Sequence, residues 1–189
     1  MALDAATLAL TAGELKQTLT DAKIAKIFEP TRDELVLTLR TRTETYSLLL
    51  SARSGSARVC LTEESFENPE TPPSFCMLMR KHLTGGKITA IAQPGLERAV
   101  ELTFEIVTEL GQPGVRRLVI EAMGRRSNLI LLDEEGRILD FMRRVDAEMS
   151  PLRQVLPGLY YRLPPAPEGK IPLTEAEEEP FLKALQEAN

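Results

Sequence analysis

The chain has 189 residues, is 43% hydrophobic and 27% charged, and carries a net charge of -5. It can bury a proper core as one domain with a short appendage. No window approaches the ~20 apolar residues that a bilayer helix needs, and MALDAATLALTAGELKQ lacks the basic n-region and apolar core of an export signal, so a cytoplasmic protein is expected.

In chain order, Leu8, Ala12, Leu15 and Leu19 form a helical stripe, with Asp4 placed as its N-cap. Lys23 to Phe28 reads as a strand ending at Glu29-Pro30. Glu34 to Arg40 alternates Leu35, Leu37 and Leu39 with Val36, Thr38 and Arg40, and Thr45 to Ser51 pairs with it. A polar turn over Arg53 to Ser56 precedes a short strand, Ala57 to Leu61. The proline-bearing loop Thr62 to Ser74 then delivers a second helix, in which Phe75, Leu78, Met79 and Leu83 recur at helical spacing until Gly85-Gly86 stops it. Lys87 to Gln93 is a strand, Pro94-Gly95 a turn, and Glu97 to Val107 a long strand answered by Val115 to Ala122. Leu129 to Leu132 and Arg137 to Met142 close the series. Ser150 to Pro167, with five prolines, is a linker or a strap, and Thr174 with Glu177 forms a capping box opening a further helix. Many short strands with two convincing helices predict an α+β antiparallel β-sandwich flanked by helices, over residues 1–165. Residues 166–189 read as a linker and the start of a helical segment left unfinished at Asn189, as in a piece of something longer.

The two cysteines, Cys60 and Cys76, stand in no CxxC pattern and have only His82 for company, so no metal, disulfide or cofactor is expected and both read as buried thiols. The charge is uneven. Nine arginines lie between Arg116 and Arg162, whereas residues 168–189 carry six glutamates and two lysines. A basic surface can therefore exist on an acidic protein. Candidate contacts to an RNA backbone are Arg125, Arg126, Ser127 and Asn128, two guanidiniums and two small polar groups on one loop, with Arg80 and Lys81 on the second helix. A solvated turn explains the first four equally well, and exposed cations on an amphipathic helix are the ordinary case.

LTEESFENPETPPSFCMLMRKHLTGGKI from Leu61, GLER from Gly95, EAMGRRSNLILLD from Glu121 and RQVLPGLYY from Arg153 resemble the N-terminal domain of the NFACT family. Its members include bacterial ribosome-quality-control factors, also called fibronectin-binding proteins, and a eukaryotic relative. The resemblance implies a module that binds tRNA and a large ribosomal subunit holding an obstructed nascent chain, so that a C-terminal tail, alanine in bacteria, is added. It implies a fold similar to the N-terminal domain of formamidopyrimidine-type DNA glycosylases, and no chemistry of the domain's own. The family's tRNA-linked positions fall on Asp4, Glu97 and Arg98; Glu97 stands where the family usually has aspartate. A carboxylate beside a guanidinium can orient it toward a phosphate or base edge. Without the resemblance, Asp4 is a helix cap and Glu97-Arg98 are solvated strand residues. Two other readings are open: a glycosylase-like enzyme acting on nucleic acid, and a fibronectin-binding surface adhesin.

Overall fold

In the computed structural model, which describes residues 4–165, helix α1 (Ala5–Leu19) forms on the expected stripe. Leu8, Ala12, Leu15 and Leu19 are buried, and the Asp4 carboxylate accepts from the Thr7 backbone N–H at 2.7 Å. This satisfies one of the donors that a helix N-terminus leaves open. Strands β1 (Lys23–Thr31), β2 (Glu34–Arg40), β3 (Thr45–Ser51) and β4 (Arg58–Leu61) follow as a meander, then α2 (Ser74–Leu83). A second meander comprises β5 (Lys87–Ala92), β6 (Ala99–Val107), β7 (Pro113–Glu121), β8 (Asn128–Leu132) and β9 (Ile138–Phe141).

Several boundaries and one burial differ from expectation; β5 ends at Ala92, β7 covers Pro113–Glu121, β8 begins at Asn128 and β9 covers Ile138–Phe141, each shifted by one or two residues. β1 runs past Pro30 to Thr31, because the pairing with β2 is irregular between Phe28 and Thr31 and the missing proline donor is not needed there. β4 begins at Arg58, one residue late. β6 begins at Ala99, so Glu97 and Arg98 belong to the turn before it and not to the strand. Cys76 is buried, but Cys60 on β4 is only half-buried.

The nine strands form one antiparallel order, β4-β3-β2-β1-β5-β6-β7-β8-β9, instead of two separate sheets. The halves meet at a single paired position, Lys23 opposite Lys87. Helix α1 packs on β5 and β6 and on the edge strand β4, while α2 packs on β1 and β6 and on the other edge strand, β9. Helices that touch strands so far apart in the order require the sheet to curl around them. One apolar core accordingly joins Leu15, Leu37, Met79, Phe104 and Leu131. Complete burial of such a side chain contributes about 1.5–3 kcal/mol.

The join between α2 and β5 depends on two glycines for different reasons. Gly85 has φ +79, where an L side chain is strained. At Gly86 a Cβ would lie 2.9 Å from the Leu83 carbonyl oxygen and 3.0 Å from Ile106 Cγ2.

As far as residue 165, the proline-rich stretch is a strap. Val155 is fully buried against Ala99, Val119, Ile130, Leu132 and Ile138, a second apolar cluster, and isolated bridges pair Val145 with Val155 and Arg137 with Tyr160. The capping box at Thr174 and Glu177 lies outside the described residues.

Candidate nucleic-acid interface

Pro94 and Gly95 turn the chain after β5, and the Glu97 N–H donates to the Pro94 carbonyl at 3.1 Å. The Gln93 side-chain amide donates to the Glu97 carbonyl at 2.7 Å and to the Ala5 carbonyl at 2.9 Å. One side chain thus ties this turn to the first residue of α1, next to Asp4. In the sequence Gln93 reads as the last residue of a strand, and the only signal of its role is an amide just before a Pro-Gly turn.

On the other side, the Arg98 carbonyl accepts from the Ala122 N–H at 2.8 Å, pinning the turn to the end of β7. Gly124–Arg126 follows as one 3-10 turn, with Arg125 and Arg126 exposed. The Arg125 carbonyl accepts from Arg143 Nη1 at 3.2 Å, and Arg143 Nη2 pairs with Asp33 at 2.7 Å. The β1–β2 turn is thereby drawn to the same end. Asp4, Glu97, Arg98, Arg125 and Arg126 are gathered on neighbouring turns.

The remaining candidates lie elsewhere or face inward. Ser127 and Asn128 are buried: Ser127 Oγ accepts from the Met123 N–H at 2.8 Å, and Asn128 exchanges hydrogen bonds of 2.7 and 2.8 Å with the Arg143 backbone. They hold the loop's shape. Arg80 donates from Nε to the Ile27 carbonyl at 2.9 Å and lies over the Phe28 ring at 5.7 Å. Lys81 pairs with Glu109 at 3.1 Å, beyond the far end of β6 from Arg98. A nine-residue strand spans roughly 30 Å, so neither α2 cation joins the cluster through these contacts.

Most of the arginine crowd is engaged. Arg117 pairs with Glu101 at 3.7 Å and Arg144 with Asp146 at 3.5 Å, Arg137 stacks on Tyr160 at 5.2 Å, and Arg153 pairs with the buried Glu121. Arg98, Arg125 and Arg126 take part in no ion pair among the described residues. Asp4 is held below the usual carboxylate range by the Thr7 backbone N–H, so it is ionised at neutral pH. His82 is pushed down by burial and then by Arg116 and Lys81, so it is neutral there.

A cavity of about 580 Å³ lies between α1 and the edge strand β4, lined by Thr11, Leu15, Arg58 and Cys60 among others, and includes none of the candidate residues. Among the described residues no three His, Cys, Asp or Glu side chains form a metal-sized group, and no helix is long and apolar enough to cross a membrane.

A mixed α/β domain with a large antiparallel sheet and two helices, presenting guanidiniums that are unpaired among the described residues on turns at one end, defines the class of scaffold. The family model for the NFACT N-terminal and middle domains matches residues 4–189, and the chain belongs to this family. It is 40% identical to the Rqc2 homolog RqcH of Bacillus subtilis over 173 residues, 91% of this chain and 30% of that protein. It is 32% identical to the ribosome quality control complex subunit 2 of Saccharomyces cerevisiae, over 81% of this chain and 14% of that one. The chain thus spans less than a third of the length of these relatives. The N-terminal domain of fibronectin-binding protein PavA from Streptococcus pneumoniae superposes with a TM-score of 0.87 at 35% identity, covering 97% of this chain and 68% of that one. The corresponding fibronectin/fibrinogen-binding protein of Streptococcus suis gives 0.88 at 32%, over 97% and 69%.

Proposed function

We propose that this domain is the tRNA- and large-subunit-binding part of a cytoplasmic ribosome-associated quality-control factor, which recruits alanine tRNA for C-terminal tailing of stalled chains. It does no chemistry of its own; peptidyl transfer belongs to the ribosome. Family membership and the names of the relatives support the setting. The observation that carries the site is the Gln93 bridge, which sets Asp4 beside the turn bearing Glu97 and Arg98, the latter without an ion pair among the described residues, with Arg125 and Arg126 on the next turn. In this reading the guanidiniums contact phosphates and base edges, and the carboxylates orient them or accept from amino and ribose hydroxyl groups. The expected likeness to glycosylase N-terminal domains belongs to the same reading, as a scaffold that holds nucleic acid without cutting it.

The test uses the full-length protein carrying this domain on isolated large subunits. Arg98→Ala folds normally and loses tRNA occupancy; unchanged occupancy removes Arg98 from the site. Asp4→Asn separates cap from contact, since asparagine caps a helix as well as aspartate but carries no charge. Its Tm is unchanged while its tRNA occupancy falls, and an equal occupancy leaves Asp4 as a cap alone.

A further inference from the structure

Across the middle of the sheet, Arg40, Lys23 and Lys87 stand directly opposite one another on β2, β1 and β5. Directly opposed residues share a face and approach to about 5 Å, and like charges so placed destabilise the pairing. The face is the outer one: Ile24 and Leu39, adjacent in sequence to Lys23 and Arg40, are buried in the core, while Lys23 and Arg40 are exposed. Lys87 is neutralised, by Glu105 at 3.1 Å and Asp21 at 3.7 Å. Lys23 and Arg40 have no carboxylate within ion-pair distance among the described residues, and neither has Lys26, which the irregular β1 register also leaves exposed.

This row breaks the rule of alternating sign that Lys87 and Glu105 obey one strand further on. A fold that placed these residues for stability alone would set an acid opposite Lys23, as it does opposite Lys87. The row is also distant from Arg98. Lys87 is opposite Glu105 on β6, seven residues beyond Arg98, or roughly 20 Å along an extended strand.

We propose that Lys23, Lys26 and Arg40 form a second RNA-contacting surface, which takes the phosphodiester backbone of a separate RNA segment from the one held at Arg98. The inference rests on the reading of the chain as an RNA-binding module, and charge complementarity selects the occupant: uncompensated cations spaced about one strand apart match a polyanion. The domain would then bridge two RNA segments, tRNA at the Arg98 end and the large subunit's RNA on the sheet face.

Charge reversal separates contact from folding. Lys23→Glu places an acid between Arg40 and Lys87, so the variant's Tm is equal to or above that of the parent. The double variant Lys23→Glu/Arg40→Glu, in the full-length protein, binds purified large subunits at least about tenfold more weakly, and the slope of log affinity against log salt falls by about 1.4–1.8 for two lost phosphate contacts. Arg98→Ala retains subunit binding and loses tRNA. Unchanged subunit affinity and salt slope in the double variant, with Arg98→Ala still defective for tRNA, overturns the second surface and leaves the first standing. If the parent binds neither RNA, both fall. Binding of the parent to phosphatidylserine vesicles that the double variant loses, with its RNA binding intact, assigns the row to a membrane surface and also overturns the proposal.

Discussion

Glu29 is the most exacting residue in the core. It is 6% exposed on β1, and its Oε2 has no hydrogen-bond partner among the described residues. Burial pushes its carboxyl above the usual range; the Cys76 backbone amide works against that shift and the charge of Asp140 adds to it. A carboxyl whose folded pKa exceeds its unfolded value contributes stability that is fully present below the unfolded pKa and is lost as pH rises through the folded one. Glu29→Gln removes the charge and keeps the shape. Its Tm therefore matches the parent's below about pH 4, by the ordinary glutamate value, and exceeds it increasingly from there upward. Parallel melting curves of the two proteins across pH 4 to 8, with a constant difference between them, would remove Glu29 as the cause.

At the scale of elements, the α2–β5 junction sets how the helix meets the sheet. The Gly86 N–H donates to the Leu83 carbonyl and its carbonyl accepts from the Ile24 N–H, both at 2.9 Å, so the glycine closes α2 and pairs with β1 at once. A methyl group there meets backbone as well as Ile106. Gly86→Ala costs about 1–3 kcal/mol, the range for overpacking a close-packed site, read as a lower denaturant midpoint with unchanged slope. Gly85→Ala also destabilises, through backbone strain at positive φ. Helix α1 is held differently, by the Asp4 cap and the Gln93 amide, which makes its N-terminus part of the Glu97 turn.

For the whole molecule, closure depends on the strap. Glu121 is 1% exposed and is paired with both terminal nitrogens of Arg153, while the Tyr161 hydroxyl donates to it at 2.8 Å. Arg153 Nε reaches the Arg162 carbonyl at 2.6 Å and its guanidinium lies over the Tyr161 ring at 5.3 Å. Burial raises the Glu121 carboxyl and Arg153 opposes the shift; burial and the Glu121 charge together push the Tyr161 hydroxyl up. Arg153→Ala strands a buried carboxylate and costs about 3–5 kcal/mol, whereas replacing both Glu121 and Arg153 by apolar residues of similar volume costs far less. Chemical denaturation of the single and double variants measures the difference; equal losses would show that the strap is held by Val155 and its apolar neighbours.

Local patterning in the sequence was enough to place the elements. The leucine alternation of β2, the stripe and cap of α1 and the paired glycines after α2 are local patterns, set by 2- and 3.6-residue periods and by backbone freedom, and they were legible to within a few residues. It also carried the family, through long ordered phrases. Which charges are available depends on the folded chain, because an arginine's partner is a matter of space. Arg143, Arg153 and Arg117 are matched by Asp33, Glu121 and Glu101, from 16 to 110 positions away, while Arg98, Arg125 and Arg126 are left unpaired among the described residues. Ser127 and Asn128 were indistinguishable in sequence from loop contacts until burial turned them inward. The hold of Gln93 on Ala5 exists only through the packing of α1 against the β5–β6 turn, and the opposed cations of β2, β1 and β5 only through pairing register, which no single segment encodes.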